Sequence, residues 1–241
     1  MDKNLSMLAL RTTPHMAMDP PTPPLLIAHE LKKQYGQTVA LDRVSLTLSP
    51  GEFLVITGPS GSGKSTLLHC LAGIQLPDHG SVQFEGQCLE HLTDDERTLL
   101  RRRHFGLVFQ FPLLVPELHI VDNVALPLLL DGMRLRVARD RARGWLERLE
   151  LIELATRFPS QLSGGQQQLA AVARALVQEP KIIFADEPTS SLDSQASERV
   201  LRALRQTAMQ TGNAVVVVTH DTSVVEHASR HIVLRNGQVQ C

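Results

Sequence analysis

Along this chain, apolar and polar positions first alternate with the short period of β-strands, over Leu25–His29, Val44–Leu48 and Phe53–Thr57, with turns at Tyr35-Gly36 and Pro50-Gly51. Leu67–Ala72 reads as the start of a helix, and Val82–Phe84, followed by Gly86, as another strand. From about Thr93 to Ala175 the spacing is mostly helical, with Trp145, Leu146, Leu149 and Ile152 on one stripe. Strand and helix then alternate again: Ile182–Ala185 is a buried-type strand, Glu198–Met209 a helix, and Ala214–Thr219 a valine run suited to a central parallel strand. His231–Leu234 and Gln238–Gln240 flank Asn236-Gly237, the dipeptide of a tight hairpin. The pattern predicts an α/β core, a helical insertion at about 93–175, and an antiparallel β layer near the N-terminus. No internal repeat is evident.

Residues 1–24 stand apart. Met1, Met7, Met16 and Met18 crowd there with Pro14, Pro20, Pro21, Pro23 and Pro24, and little of the segment can enter a core. It is expected to be a disordered extension, and Met16 or Met18 is a candidate for the true start of translation.

Composition narrows the classes. The chain has 241 residues, 43% hydrophobic and 20% charged, enough for one large domain with a subdomain. A net charge of −1 gives no reason to expect nucleic acid as a partner. Cys70, Cys88 and Cys241 lie far apart and read as reduced thiols. No apolar run approaches the ~20 residues that span a bilayer, so an action at a membrane calls for a second subunit. Arg97, Arg101, Arg102, Arg103 and the arginines of 134–143 are expected on solvated helix faces.

Residues 58–66 read Gly-Pro-Ser-Gly-Ser-Gly-Lys-Ser-Thr, between a predicted strand and a predicted helix. That order of strand, glycine-rich loop and helix is what a phosphate-binding P-loop requires. Gly58, Gly61 and Gly63 let the backbone curl past Pro59 so that successive N–H groups of the loop, with Ser60, Ser62 and Thr66, point inward at phosphate oxygens. Lys64 adds a full positive charge, and Ser65 offers a hydroxyl to Mg²⁺. The chain is expected to bind a nucleoside triphosphate.

Ile182–Ala185 ends in Asp186-Glu187. In P-loop enzymes the first acid at such a strand end holds Mg²⁺, and the second is placed to take a proton from attacking water. Ser163-Gly164-Gly165-Gln166, preceded by Leu162, opens an Ala-rich helix. It offers a second phosphate cradle of backbone N–H groups, a hydroxyl and a helix dipole, against the simpler reading of an N-cap.

With Leu-Ser-Gly-Gly-Gln in place, the chain resembles the nucleotide-binding subunits of ATP-binding-cassette (ABC) transporters from Leu25 to Gln240. The resemblance implies a P-loop NTPase fold of the ABC ATPase type, with an antiparallel β layer and a helical subdomain. It makes Tyr35 the aromatic that stacks on adenine, and Gln110 the glutamine that meets Mg²⁺, water and the membrane subunit. Asp193, in Ser191-Leu192-Asp193, falls on the loop crossing a dimer interface, and His220 on the histidine that touches the γ-phosphate. Lys64, Gln110, Glu187 and His220 then carry catalysis, and Ser65, Gln110 and Asp186 organise Mg²⁺. In such proteins two ATP molecules are sandwiched between two chains, each held by one P-loop and the opposite signature. That implies a homodimer, or a pair with a related ATPase, on the cytoplasmic face of the inner membrane and bound to a separate transmembrane permease.

Phe111–Pro116 and Asn123–Leu129 are similar to the lipoprotein-releasing and macrolide-exporter group. Importers of polar amino acids carry similar ATPases, and soluble ABC ATPases acting on DNA or ribosomes, or a regulatory protein that binds ATP without turnover, are rival classes. Leu169 departs from the family pattern, which has Arg there, so the interface near it is expected to differ.

Overall fold

The computed structural model describes residues 23–240. The expectations for the N-terminal extension and for a start at Met16 or Met18 fall almost wholly on residues outside this range, as does Cys241. Two sheets organise the fold. The smaller is antiparallel, in order β2-β1-β4-β5, from β1 (Leu26–Tyr35), β2 (Thr38–Leu48), β4 (His79–Phe84) and β5 (Gln87–Cys88). The larger has six strands in order β10-β9-β3-β8-β7-β6, from β3 (Phe53–Thr57), β6 (Phe105–Val108), β7 (Ile182–Asp186), β8 (Ala214–Thr219), β9 (Arg230–Arg235) and β10 (Gln238–Gln240). All of its pairings are parallel except β10 on β9.

The central strands are buried along their whole length, as a parallel sheet covered on both faces demands. Side chains of β3 alternate between two cores: Phe53 and Val55 enter one, Leu54 and Ile56 the other. Helix α1 (Lys64–Leu71) lies between the two sheets, its Leu67, Leu68 and Leu71 packed with Leu26, Leu41, Val82 and Phe84. On the opposite face lie α5 (Gly164–Leu176) and α6 (Ser194–Thr211), and the pair α3 (Ile120–Leu130) and α4 (Leu135–Arg148) packs against α5. A row of edge-to-face rings, Phe84 on Phe105 at 4.9 Å and Phe105 on Phe184 at 5.2 Å, joins the two sheets. Among the described residues, no helix is long and apolar enough to cross a membrane.

Several expectations need correction. The stretch 93–175 is mostly helical as expected, but it also holds a strand that was not, since β6 follows α2 (Asp94–His104) and pairs with β7. Its four residues are too few for periodicity to separate from a buried helix turn. The stripe ending at Ile152 breaks at Glu150, whose φ of 59° turns the chain left-handed after α4. Leu151, not Ile152, then enters the core. Arg97 and Arg101 are not simply solvated: Arg97 donates to the Leu92 carbonyl and Arg101 to that of Gly73. Burial holds the Arg101 guanidinium below its ordinary pKa. Arg139 makes a bidentate pair with Asp122 at 2.6 and 2.9 Å.

The parallel register sets the site. Thr57 stands beside Thr219, and Asp186 beside Val218. The loops leaving β3, β7 and β8 therefore meet at one edge of the sheet, outside the carboxyl ends of its strands.

Candidate nucleotide site

The loop from Gly58 to Gly63 is fixed by sterics. Gly63 caps α1 at φ 101°, and a Cβ there would sit 2.2 Å from the Ala40 carbonyl oxygen. A Cβ on Gly58 would sit 2.1 Å from the Leu234 carbonyl oxygen. Only glycine lets the loop close this tightly onto β2 and β9. Lys64 is buried, and its Nζ donates to the carbonyls of Gly58 and Pro59 at 2.8 and 3.0 Å. The ammonium is thus held across the mouth of the loop it opens. Ser62 is also buried, with a hydroxyl that finds no partner.

A cleft of about 310 Å³ opens above this loop, lined by Tyr35, Thr38, Ala40, Ser60, Gly61, Gly63, Lys64, Ser65, Thr66 and Glu187. The half-exposed Tyr35 flanks it, its hydroxyl donating to the Gln75 side-chain carbonyl. The Lys33 ammonium lies 5.9 Å from the Tyr35 ring centroid. An aromatic face beside a cationic, N–H-lined loop suits a base at one end and phosphates at the other.

Ser65 donates from Oγ to Asp186 Oδ1 at 3.0 Å, joining the start of α1 to the end of β7. Burial pushes the Asp186 carboxyl above its ordinary pKa, and the Ser65 hydroxyl opposes that shift. A hydroxyl and a half-desolvated carboxylate this close are hard oxygen donors of the kind Mg²⁺ takes. Among the described residues no group of three or more His, Cys, Asp or Glu side chains could hold a metal.

Glu187 has a φ of 47°, a left-handed conformation uncommon for a residue with a side chain. Its N–H is secured to the Val218 carbonyl at 2.9 Å. Its carboxylate is held from β8: Thr219 Oγ1 donates to Oε2 at 3.0 Å, and the His220 N–H donates to Oε1 at 3.1 Å. The His220 ring follows, with Nδ1 2.9 Å from the same Oε1. Lys64, Ser65 and Glu187 thus line one cleft, with Asp186 joined to it through Ser65 and His220 through Glu187. Thr219 was not anticipated; the one signal was a hydroxyl-bearing residue closing a run of valines.

The second cradle lies elsewhere. None of residues 163–166 lines the P-loop cleft. Ser163 caps α5, accepting from the Gln166 N–H at 3.3 Å, while Gln166 Oε1 accepts from the Ser163 N–H at 2.9 Å. This reciprocal capping box accounts for Ser163 and Gln166 within the single chain, as the simpler N-cap reading expects. Gly165 has its own reason, since a Cβ there would meet the Ala196 Cβ at 2.7 Å. Ser163 and Gly164 are exposed, with only Leu192 near the latter, at 3.9 Å. Asp193 caps α6 by accepting from the Ala196 N–H at 2.8 Å.

Gln110 stands on the bend after β6, away from the cleft lining. Its loop is clasped by α5. Gln168, almost fully buried, donates to the Phe109 carbonyl at 2.8 Å, and Arg174 donates to those of Leu113 and Pro112, each at 2.7 Å. Burial lowers the Arg174 pKa. Neither residue was singled out from the sequence. Leu169, in the position of the expected arginine, is buried in the core beneath α4 and α6.

The family model described as "ABC transporter" matches residues 41–190. The chain is 43% identical over 205 residues to the lipoprotein-releasing system ATP-binding protein LolD of Hyphomonas neptunium, covering 85% of this chain and 90% of that one. It is 42% identical over 218 residues to the macrolide export ATP-binding/permease protein MacB of Rhodopseudomonas palustris, covering 89% of this chain and 33% of that larger protein. Among solved structures, the dimeric post-hydrolysis state of the ATP-binding cassette MJ0796 bound to ADP and Pi superposes with a TM-score of 0.83 at 40% identity, covering 90% of this chain and 97% of that one.

Proposed function

The chain belongs to the ABC transporter family as one of its ATP-hydrolysing cassettes, and we propose that it is the Mg²⁺-dependent motor of a separate membrane permease of the lipoprotein-releasing and macrolide-exporting type. Its relatives' names support that group over an importer of polar solutes or a nucleic-acid ATPase. Two copies pair head to tail, so that Ser163 and Gly165 of one chain close over the P-loop of the other. The MJ0796 dimer supports this arrangement, as does a signature cradle that its own chain leaves facing solvent. The permease holds the pair at the cytoplasmic face of the membrane, with Phe111 and Leu113, both exposed and apolar, on the docking side beside Gln110.

The observation that carries the reading is the Glu187 carboxylate, fixed by β8 at the edge of a P-loop cleft that also presents Lys64 and Ser65. Tyr35 stacks on the base. The loop N–H groups from Gly58 to Thr66, Lys64 and the N-terminus of α1 bind the phosphates. Ser65 and Asp186, with Gln110 brought in by its loop, would hold Mg²⁺, and the ion would supply positive charge to the phosphates. Glu187 orients the attacking water and accepts its proton, and His220 steadies Glu187 and faces the γ-phosphate. Gly164, Gln166 and Asp193 shape the face that meets the partner. Positioning and charge stabilisation supply most of such a barrier reduction.

Glu187→Gln tests this reading. ATP binding is retained, turnover falls by roughly three orders of magnitude, and an ATP-bound dimer accumulates in size-exclusion chromatography. Wild-type turnover in this variant removes Glu187 from the role given to it. Lys64→Ala instead weakens ATP in an equilibrium titration.

A further inference from the structure

We propose that Thr219 is a positioning residue for hydrolysis, its hydroxyl aiming the Glu187 carboxylate at the water-binding side of the cleft. Thr219 ends the all-apolar strand Ala214–Val218 and is 1% exposed, so its hydroxyl has no water to turn to. The hydroxyl has one proton and two lone pairs. The Asp221 N–H donates to Thr219 Oγ1 at 3.0 Å and takes up acceptor capacity, which leaves the proton directed at Glu187 Oε2, 3.0 Å away. Asp221 is itself pinned, since its Oδ1 accepts from the Ser223 N–H at 2.9 Å at the start of the turn Thr222–His227.

The two carboxylate oxygens are therefore held differently. Oε1 takes the backbone N–H of His220, with the His220 ring also within reach, from an exposed residue. Oε2 takes a buried hydroxyl that cannot wander. His220 can swing toward a phosphate and give up its ring contact, and Thr219 then keeps the carboxylate plane fixed. The left-handed backbone of Glu187 makes this support necessary, because the residue has no regular structure of its own to set its side chain.

Thr219 acts in this way only if Glu187 has the role proposed for it above, so the two are tested apart. In the full chain, Thr219→Val keeps the shape and the apolar strand but removes the hydroxyl. It is expected to lower kcat roughly tenfold to a hundredfold, with KM for ATP and the equilibrium affinity for ATP within about twofold of wild type. Thr219→Ser, which keeps the donor, returns kcat to within about threefold. In a Glu187→Gln background, the slow single-turnover rate is not lowered further by Thr219→Val, because the group it aims is already gone. An unchanged kcat in Thr219→Val overturns the proposal, as does a Ser variant as slow as Val, or an equal loss from Val in the Glu187→Gln background. If the Val variant does not fold, Thr219→Ala carries the same comparison with Ser. Normal turnover in Glu187→Gln alone is a different outcome and strikes the proposed function instead.

Discussion

The P-loop and the loop Ser163–Gln166 are built on opposite plans. The P-loop is finished within its own fold: its glycines touch β2 and β9, and Lys64 is buried across its mouth. The cradle at Ser163–Gln166 is satisfied only by itself, through a capping box, and presents Ser163 and Gly164 to solvent. A motif that is conformationally complete yet open on its outer face is shaped for something brought to it. Under the proposed function, the first loop would fix where nucleotide lies, and the second would meet nucleotide held by another copy.

Glycine substitutions separate the plans most strongly. Gly63→Ala combines φ 101° with a 2.2 Å clash against the Ala40 carbonyl, so ATP affinity should fall at least a hundredfold in an equilibrium titration. Gly164→Ala meets only Leu192 at 3.9 Å and should leave fold and monomer ATP affinity unchanged while lowering turnover of the dimer. Equal effects at the two positions break the contrast. Next in size is a mixing experiment. Lys64→Ala and Ser163→Ala chains are each expected to be nearly inactive alone, and a mixture regains turnover because one composite site of each mixed pair is intact. No recovery on mixing, with mixed dimers present, counts against shared sites. Smaller again, Ser163→Ala should cost about 1 kcal/mol of stability through the lost cap, seen as a lower urea midpoint.

The smallest effect tests α3 and α4, the helix pair packed against α5. The Arg139 guanidinium beside Asp122 holds that carboxyl below its ordinary pKa. A carboxyl lowered by folding stabilises the native state above its unfolded pKa and loses that contribution as pH falls through the folded value. The stability difference between wild type and Asp122→Asn should therefore be constant above about pH 5 and shrink below about pH 4. A gap that persists at low pH shows that packing, not charge, holds α3 to α4.

What could be read from sequence divides along the same line. The P-loop and the Asp186-Glu187 strand end were legible because local order alone, strand then loop then helix, dictates their geometry. The hairpin at Asn236-Gly237 was equally plain, with φ of 48° and 73° at the two positions. Strand β6 was hidden because its four residues carry no period, although its Phe105 stacks between Phe84 and Phe184. Arg97 and Arg101 looked solvated because no pattern reveals a backbone carbonyl approaching from another segment. Thr219, Gln168 and Arg174 escaped for that reason too: each acts on a group distant in sequence, and only the tertiary fold supplies it.

The clasp of α5 on residues 109–113 has one more consequence. Gln168 and Arg174 grip main-chain oxygens, so nothing in the grip depends on which side chains the gripped segment carries. The exposed Phe111 and Leu113 can therefore change without loosening the clasp, and under the proposed function a change of docking partner would leave the link to α5 intact. The segment is thus held by its main chain and left free to vary on its outer face.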